Sequence, residues 1–320
     1  MTGATGLLGQ ALSRELLAGQ WRVRGLVRLS TAALPRGVQA VSGDVTAPVS
    51  LAAAVDECDA VFHCAAAVGD AVGAREMWRV NVDGTRHMLE AAIAAGVPRF
   101  IYASSVAVYG RRSGVYPEDT PLGDPGNPYG RTKAAAEKIL LGDSPCTPIV
   151  VRPTNIYGPG DRHLLGRVVA LLSSKRAALI DGGRGRLNLV YADDVAALMR
   201  AAAEAPAPRP IYNVTGPDRI TWRDFVDQLS SYLDLSPPQR DISRRTARTV
   251  AACLEGMAAL RLLRRPPLSR FAVDLVTGDR SYPIDRAQAD LDFEPAIDLQ
   301  EGLARVLPEL RSGITSTAAG

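Results

Sequence analysis

The chain has 320 residues, 47% of them hydrophobic, and its 37 basic and 34 acidic residues give a formal net charge of +3. This length and composition are typical of a soluble globular protein that buries a large core in one big domain or two unequal ones. The charged residues are scattered along the chain, so no face for binding nucleic acid is predicted.

The sequence predicts neither export nor a membrane span. No basic leader with an apolar core precedes the first motif. The most apolar later stretch, residues 250–263, is interrupted by Glu255 and Arg261 and is too short to cross a bilayer. Four widely spaced cysteines form no zinc or disulfide pattern. We therefore expect a cytoplasmic protein without a metal site that acts on a small molecule and forms a homodimer.

The first half of the chain alternates short β-rich runs with longer helical ones. We predict strands at residues 22–28, 38–41, 60–64, 99–104 and 148–151. Apolar residues that recur every three or four positions predict helices at residues 7–18, 75–95 and 129–141. This order is typical of an α/β fold with a doubly wound parallel sheet, which is a Rossmann-type domain over residues 1–153.

After Pro153 the regular alternation ends, and Pro and Gly residues separate shorter elements. We predict a smaller mixed α/β domain for substrate binding over residues 154–320. Residues 187–205 return to a strand-then-helix pattern and are predicted to rejoin the first sheet, so that the two domains interleave.

A glycine motif opens the chain, with Gly3, Gly6 and Gly9 directly before the first predicted helix. Glycines in this strand-to-helix turn let the backbone approach a dinucleotide pyrophosphate closely. Only Met1 and Thr2 precede Gly3, whereas a Rossmann sheet has a central strand of roughly five or six residues there. We therefore expect the first strand to be truncated.

Two positions after the following strands face the adenosine part of such a cofactor. Arg28 follows Val27 where an acidic residue would favour NAD, and an arginine there favours NADP. We expect NADP to be preferred over NAD. Asp44 is expected either to bind the adenine amino group or to cap a helix.

Three further residues predict proton and hydride chemistry. Tyr129 and Lys133 are four residues apart and so share one helix face, where the ammonium favours the phenolate and can hold a ribose hydroxyl. Ser105 follows a predicted strand at the edge where parallel sheets bind ligands, and its hydroxyl can bind a substrate oxygen. We predict that Ser105, Tyr129 and Lys133 are catalytic.

These motifs resemble the extended short-chain dehydrogenase/reductase superfamily, which includes the NAD-dependent epimerases and dehydratases. The resemblance extends over TGATGLLG (residues 2–9), GDV (43–45), VFHCAA (61–66), NVDGT (81–85), YASSVAVYG (102–110), YGRTK (129–133) and RPTNIYGPGD (152–161). It implies a structural role for His63 and further cofactor contacts at Leu7, Leu8, Asp44, Val45, Ala65, Ala66 and Asn81.

Departures from the family pattern separate its branches. Dehydratases of this superfamily carry an acid pair where this chain has Val106 and Ala107, so dehydration is not expected. Sugar-nucleotide epimerases resemble this chain but clamp a diphosphate with arginines. The first clamp position is Leu187 here, with Arg186 displaced by one residue, and the later block, Thr277–Arg280, lacks the expected Arg-Pro.

From Thr246 onward the chain resembles the 3β-hydroxysteroid or sterol dehydrogenase branch, and residues 250–271 are predicted to form the lid of an apolar pocket. We expect an NAD(P)-dependent oxidoreductase that interconverts a secondary alcohol and a ketone on a steroid- or lipid-like substrate. Two alternatives remain, a nucleotide-sugar epimerase or 4-ketoreductase and a non-catalytic dinucleotide sensor. The Tyr129 and Lys133 pair argues against the sensor.

Overall fold

The computed structural model describes residues 1–28, 33–69, 72–161, 163–174, 177–260, 262–263 and 268–318. Its strands in chain order are β1 (Arg24–Val27), β2 (Gln39–Ser42), β3 (Ala60–His63), β4 (Arg99–Ala103), β5 (Gly114–Val115), β6 (Thr147–Pro153), β7 (Asn155–Tyr157), β8 (Ala178–Ile180), β9 (Arg186–Leu187), β10 (Leu189–Tyr191), β11 (Ile211–Val214), β12 (Ile220–Thr221), β13 (Arg240–Ile242) and β14 (Arg280–Ser281).

The helices lie between these strands and after them. They are α1 (Leu7–Ala18), α2 (Ala52–Val55), α3 (Ala74–Trp78), α4 (Gly84–Ala94), α5 (Pro128–Leu140), α6 (Leu165–Ser173), α7 (Ala192–Glu204), α8 (Trp222–Tyr232), α9 (Arg244–Ala259), α10 (Arg270–Thr277), α11 (Asp285–Leu291) and α12 (Leu299–Ala318). Short 3₁₀ turns include Val106–Tyr109, and one π-helical turn spans Arg79–Asp83.

The main sheet is parallel throughout. Strands β3, β4, β6 and β11 pair in that order, and β1 pairs with β2. Met1 and Thr2 lie between β1 and β3, where Thr2 bridges to Leu26 on one side and to His63 on the other. The Thr2 amide donates to the Phe62 carbonyl oxygen over 2.9 Å, and the Leu26 amide donates to the Met1 carbonyl oxygen over 2.9 Å.

Helices cover both faces of this sheet, because alternate residues of its central strands point to opposite sides. Ile101 and Val151 pack with α1 and α7 on one face, whereas Phe100, Tyr102 and Val150 pack with α4 and α5 on the other. Central strands β4 and β6 are therefore almost continuously buried, as in other sheets covered on both sides. The predicted doubly wound α/β fold is confirmed.

Four small strand pairs lie outside the main sheet, and all four involve strands of the second half of the chain. β7 pairs with β10, β8 with β13 and β5 with β14 in parallel, whereas β9 and β12 are antiparallel. A separate apolar core lies among α6, α8 and α12 and includes Leu165, Phe225, Leu229 and Leu303. The half is thus a small mixed α/β layer with its own interior.

Two elements differ from the sequence prediction. Within residues 187–205, helix α7 packs against α1 on the main sheet, but the strand β10 pairs with β7 outside that sheet. The strand that extends the main sheet beside β6 is instead β11. Residues 75–95 were predicted as one helix, but the π-helical turn divides them into α3 and α4.

Candidate active site

The glycine turn between Thr2 and α1 has the close contacts that require glycine. Gly3 adopts a φ of +69°, and a Cβ added there would lie 2.7 Å from the backbone nitrogen of Ala65. A Cβ at Gly9 would lie 2.0 Å from the Gly3 carbonyl oxygen. Gly6 precedes α1, and no side chain of the described residues caps this helix. The first amides of α1 are therefore free to bind an anion.

The carboxyl ends of β1 and β2 bring Arg28 and Asp44 near each other. Arg28 is exposed. The Asp44 carboxylate accepts hydrogen bonds of 2.8 Å from both the amide and the hydroxyl of Thr46. Burial by itself would raise the pKa of Asp44, but the Thr46 hydrogen bonds and the charges of Arg28 and Arg79 lower it. Asp44 is thus ionised and closes a turn beside an exposed guanidinium.

The loop after β3 lies beside the glycine turn and carries Ala65 and Ala66. The Ala65 amide donates to the Thr2 hydroxyl over 3.1 Å. Asn81, which is buried, accepts from the Ala67 amide over 2.7 Å and donates to the Thr132 hydroxyl over 2.9 Å. The Asn81 carboxamide therefore ties this loop to α5, one residue before Lys133.

His63 and Val45 are both buried at this edge of the sheet. The His63 ring is fully buried and hydrogen-bonds the hydroxyl of Thr2 over 2.8 Å and that of Thr85 over 3.1 Å. Burial lowers the pKa of His63 to about 3, so the ring is neutral. Val45 is buried, and its carbonyl oxygen lies 3.0 Å from a ring nitrogen of His87.

Ser105 lies where β4 ends, at the same edge of the sheet as the glycine turn. Its backbone is extended, with φ −166° and ψ 149°, and its hydroxyl accepts a 3.2 Å hydrogen bond from the Ala107 amide. Ser105 thereby caps the 3₁₀ turn Val106–Tyr109. The hydroxyl keeps its proton available for donation to a second group.

Helix α5 brings Tyr129 and Lys133 to Ser105. Asn127 caps this helix by accepting a 2.8 Å hydrogen bond from the Gly130 amide, and Pro128 is its first residue. Lys133 is buried, and its Nζ lies 5.8 Å from the centroid of the Tyr129 ring. All three predicted catalytic side chains therefore meet at one place.

Burial shifts the pKa values of both titratable groups at this place. It raises the pKa of Tyr129 to about 12, although hydrogen bonding from Ser105 partly offsets the rise. It lowers the pKa of Lys133 to about 8, although the nearby Glu137 carboxylate partly offsets that change. The pair is thus a neutral phenol beside an ammonium that loses its proton more easily than an ordinary lysine.

Several polar residues next to this site were missed by the sequence analysis. Glu137 and Arg152 form a buried ion pair with an Nη2–Oε2 distance of 2.7 Å, and Tyr109 and Asn213 extend the same hydrogen-bond network. One signal was available, because Glu137 follows Lys133 at the same four-residue spacing that separates Lys133 from Tyr129.

The positions that correspond to a diphosphate clamp are occupied differently. Leu187 is buried in the core of the second half, and Arg186 pairs with Asp279 at 3.2 Å. Arg280 is also buried, and its guanidinium donates to the backbone carbonyl oxygens of Arg111, Asp274 and Leu275. Backbone carbonyls and a carboxylate therefore already hold these two arginines.

Across the described ranges, no helix combines the length and apolarity that crossing a membrane would take. The same residues include no group of His, Cys, Asp and Glu side chains arranged to hold a metal ion.

The fold and this arrangement of side chains define a Rossmann-type enzyme of the extended short-chain dehydrogenase/reductase class. The chain belongs to the NAD dependent epimerase/dehydratase family, whose model matches residues 1–215. Within that family its curated relatives include reductases and hydroxysteroid dehydrogenases.

Three relatives illustrate the range of the family. The 2-alkyl-3-oxoalkanoate reductase of Stenotrophomonas maltophilia is 31% identical over 96% of this chain and 97% of its own length. The 3 beta-hydroxysteroid dehydrogenase/Delta 5-->4-isomerase of Mycobacterium tuberculosis is 29% identical over 96% of this chain and 89% of its own length. A solved complex of MoeE5 with UDP-glucose and NAD is 25% identical, with a TM-score of 0.75, and covers 100% of this chain and 98% of that one.

Proposed function

We propose that this enzyme interconverts a secondary alcohol and a ketone by hydride transfer, with Tyr129 exchanging the proton of the substrate oxygen. The observation that carries the proposal is the convergence of Ser105, Tyr129 and Lys133 at the carboxyl edge of the parallel sheet. Ser105 holds the substrate oxygen beside the Tyr129 hydroxyl. The buried Lys133 ammonium favours the phenolate and thereby lowers the cost of removing the phenol proton.

A nicotinamide dinucleotide supplies or accepts the hydride in this chemistry. The glycine turn fits its pyrophosphate. The backbone packs too closely around Gly3 and Gly9 for a side chain at either position, and no described side chain caps the first amides of α1. We also propose that Lys133 holds a ribose hydroxyl. The residues proposed to bind or border the cofactor are Gly3, Gly6, Leu7, Leu8, Gly9, Arg28, Asp44, Val45, Ala65, Ala66, Asn81, Tyr129 and Lys133.

Arg28 supports a preference for NADP. Its exposed guanidinium follows β1, close enough to Asp44 to lower the pKa of that carboxyl, at the edge where the adenosine ribose of a bound dinucleotide lies. An extra ribose phosphate there gains a charge-assisted hydrogen bond. The solved MoeE5 complex holds NAD, so the two cofactors have to be compared directly in this enzyme.

We further propose an apolar, lipid-like substrate such as a 3-oxo acid with long alkyl chains or a steroid. Leu187 and Arg280 do not offer free cations to a sugar diphosphate, since one is apolar and the other is bound to backbone carbonyls. The names of two relatives support this proposal, since the Stenotrophomonas maltophilia enzyme is a 2-alkyl-3-oxoalkanoate reductase and the Mycobacterium tuberculosis enzyme is a 3 beta-hydroxysteroid dehydrogenase.

The predicted lid lies partly outside the described residues, which leave out 261 and 264–267. On either side of that gap, α9 and α10 pack together through Ala247, Ala251 and Val273. Val250 and Met257 of α9 are exposed, as is Leu260 just after it. These exposed apolar side chains support a role for α9 and the residues after it in admitting an apolar substrate.

A nucleotide-sugar epimerase or 4-ketoreductase is the second candidate. One observation favours it, namely that Arg186 pairs with the exposed carboxylate of Asp279, which a diphosphate could displace. MoeE5, which binds UDP-glucose and NAD, is similar over the whole chain.

A substrate panel tests the proposal. Purified enzyme is mixed with NADPH or NADH and a 2-alkyl-3-oxoalkanoate or a 3-oxosteroid, or with NADP or NAD and a 3β-hydroxysteroid, while absorbance at the nicotinamide band is followed. UDP-glucose is incubated separately and its products are separated by chromatography, because epimerisation returns the hydride to the sugar and leaves the absorbance unchanged. We expect turnover with the apolar ketones or alcohols. Conversion of UDP-glucose without turnover of any apolar substrate would instead establish the second candidate. Homodimer formation stays a prediction that light scattering can check.

A further inference from the structure

A buried ion pair lies directly behind the candidate active site. Glu137 of α5 and Arg152 of β6 are 0% and 2% exposed, and their side chains meet in two hydrogen bonds of 2.7 Å and 3.0 Å. Removing two charges from water costs free energy that their attraction only partly returns. The pair therefore contributes little net stability. Its other hydrogen bonds indicate a different role.

Both partners of the pair reach into the segment that carries Ser105. The Ser104 hydroxyl donates to Oε1 of Glu137. At the far end of the 3₁₀ turn, Arg152 donates to the Tyr109 hydroxyl over 2.8 Å. Residues 104–109 are thus fastened at both ends to one ion pair, and Ser105 lies between the two attachments.

The remaining bonds of Tyr109 and Arg152 extend this attachment. The Tyr109 hydroxyl donates to Oδ1 of Asn213 in β11 over 2.8 Å, and Arg152 also donates to the Glu118 carbonyl oxygen over 3.2 Å. Asn213 donates in turn to the carbonyl oxygens of Tyr116 and Pro283. The turn that holds Ser105 is therefore connected to β11 and to the second half of the chain.

The carboxylate of Glu137 also belongs to the helix that carries the other two proposed catalytic groups. Tyr129, Lys133 and Glu137 follow each other at four-residue spacing and lie along one side of α5. The ion pair consequently anchors α5 to β6 one turn beyond Lys133. A shift of the pair would change the distance from Ser105 to Tyr129, because the Ser105 segment is hydrogen-bonded to both partners, whereas Tyr129 is carried by the helix of Glu137.

We propose that Glu137 and Arg152 are positioning residues that hold the Ser105 hydroxyl in register with the Tyr129 hydroxyl. The inference rests on the proposed function, since it assigns a role within the same proton-transfer site. Neither residue touches the reacting atoms in this role. They act through Ser104 and Tyr109, whose hydroxyl groups transmit the position of the pair to Ser105. A hydroxyl displaced by about 1 Å can cost as much as 10²-fold in rate.

Two small substitutions test the role without removing the ion pair. Ser104→Ala deletes only the hydroxyl that binds Glu137, and Tyr109→Phe deletes only the hydroxyl that binds Arg152. We expect each to lower kcat at least tenfold with the ketone that the substrate panel identifies. The dissociation constant of the cofactor should change less than about twofold, because the glycine turn is untouched. Glu137→Gln, measured on the folded protein, should lower kcat further and leave the dissociation constant of the cofactor similarly unchanged.

A double-mutant cycle separates positioning from a loss of stability. Ser105→Ala is measured in the wild type and in the Ser104→Ala background. If Ser104 acts through Ser105, the second substitution adds little to the first, and the double variant has nearly the kcat of Ser105→Ala. Independent effects would multiply and would overturn the proposal. A merely destabilised enzyme would lower the melting temperature and the active fraction without this non-additivity.

Matched controls lie outside the hydrogen-bond network described above. Ser230→Ala removes another buried serine hydroxyl, in α8, and Glu15→Gln weakens the 2.7 Å pair between Glu15 and Arg200. Both should leave kcat unchanged. Tyr129→Phe serves as the reference for the reaction itself. If it leaves turnover intact, the proposed function fails together with the positioning role. If Tyr129→Phe inactivates the enzyme while Ser104→Ala and Tyr109→Phe keep full kcat, only the positioning role is overturned.

Discussion

The Lys133 ammonium donates a 2.6 Å hydrogen bond to the backbone carbonyl oxygen of Ala103, the last residue of β4. This bond joins the helix of the tyrosine to the strand of the serine. Nζ also lies 4.6 Å from the centroid of the Tyr102 ring, and this cation–π interaction stabilises the buried charge. Lys133 thus fixes α5 against the end of β4.

Tyr129→Phe is expected to lower kcat by at least about 10²-fold, because the phenol hydroxyl is the proposed proton donor and acceptor. The affinity for the cofactor should stay nearly unchanged, since the phenol adds little to dinucleotide binding. Steady-state kinetics and a fluorescence titration of NADPH measure the two quantities. Tyr232→Phe in α8 is the matched control and should behave as wild type. A Tyr129→Phe enzyme that keeps more than about a tenth of kcat would show that another group transfers the proton.

The buried Lys133 should make stability depend on pH. Its pKa is about 8 in the folded protein and 10.5 in the unfolded chain, so between these values the unfolded chain binds a proton that the folded protein lacks. The contribution of Lys133 to the free energy of unfolding therefore rises with pH above about 8, at about 1.4 kcal/mol per pH unit. The raised pKa values of the Cys64 thiol and of Tyr129 act in the opposite direction, above pH 9 and above pH 10 respectively.

Urea denaturation at pH 7.5 and pH 9.5 measures this dependence. Lys133→Met should remove roughly 2 kcal/mol of the gain in stability between the two pH values, at about 1.4 kcal/mol per unit. Lys138→Met, which changes an exposed lysine of the same helix, should leave the gain in place. Equal pH dependence in the wild type and in Lys133→Met would mean that Lys133 titrates normally.

Arg28→Ala should weaken NADPH binding by about tenfold or more and leave NADH binding nearly unchanged. A hydrogen bond between a guanidinium and a phosphate contributes on the order of 1.5–3 kcal/mol, and only NADPH carries the extra phosphate. Isothermal titration with both cofactors measures the difference. Arg22→Ala, at the other end of the same β-rich segment, is the control. Tighter binding of NADH than of NADPH by the wild type would refute the preference.

Gly9→Ala should abolish cofactor binding and destabilise the protein. Its Cβ would lie 2.0 Å from the Gly3 carbonyl oxygen, so the glycine turn has to move away from α1. Gly256→Ala is the matched control, because it too lies inside a helix but, apart from its chain neighbours and its own helix backbone, no described atom lies within 4 Å of the added Cβ. It should stabilise the protein by roughly 0.5–1 kcal/mol. Thermal melting with and without NADPH compares them, and a cofactor-induced shift retained by Gly9→Ala would contradict the role of the turn.

Much of the first half could be predicted from the sequence, because its signals are local. Helix α1 begins and ends where its apolar spacing and the flanking glycines predicted, and β3 and β4 differ from the predicted strands by one residue. The predicted helix over residues 75–95 failed at the π-helical turn. There Asn81 bonds to the Ala67 loop and to Thr132, and these partners are distant in sequence.

The sequence by itself determined the chemical groups of the site. Four-residue spacing puts Tyr129 and Lys133 on one helix face, and a parallel sheet brings the residue after each strand to one edge, where Ser105 and the glycine turn meet. Both relationships follow from the regular geometry of one helix or one sheet. Only the tertiary structure decided which groups support the site. Glu137 and Arg152 are 15 residues apart, and Tyr109 and Asn213 are 104 apart. No periodic sequence pattern relates such distant residues. Their pairing depends on how the strands and helices pack and bury these polar side chains.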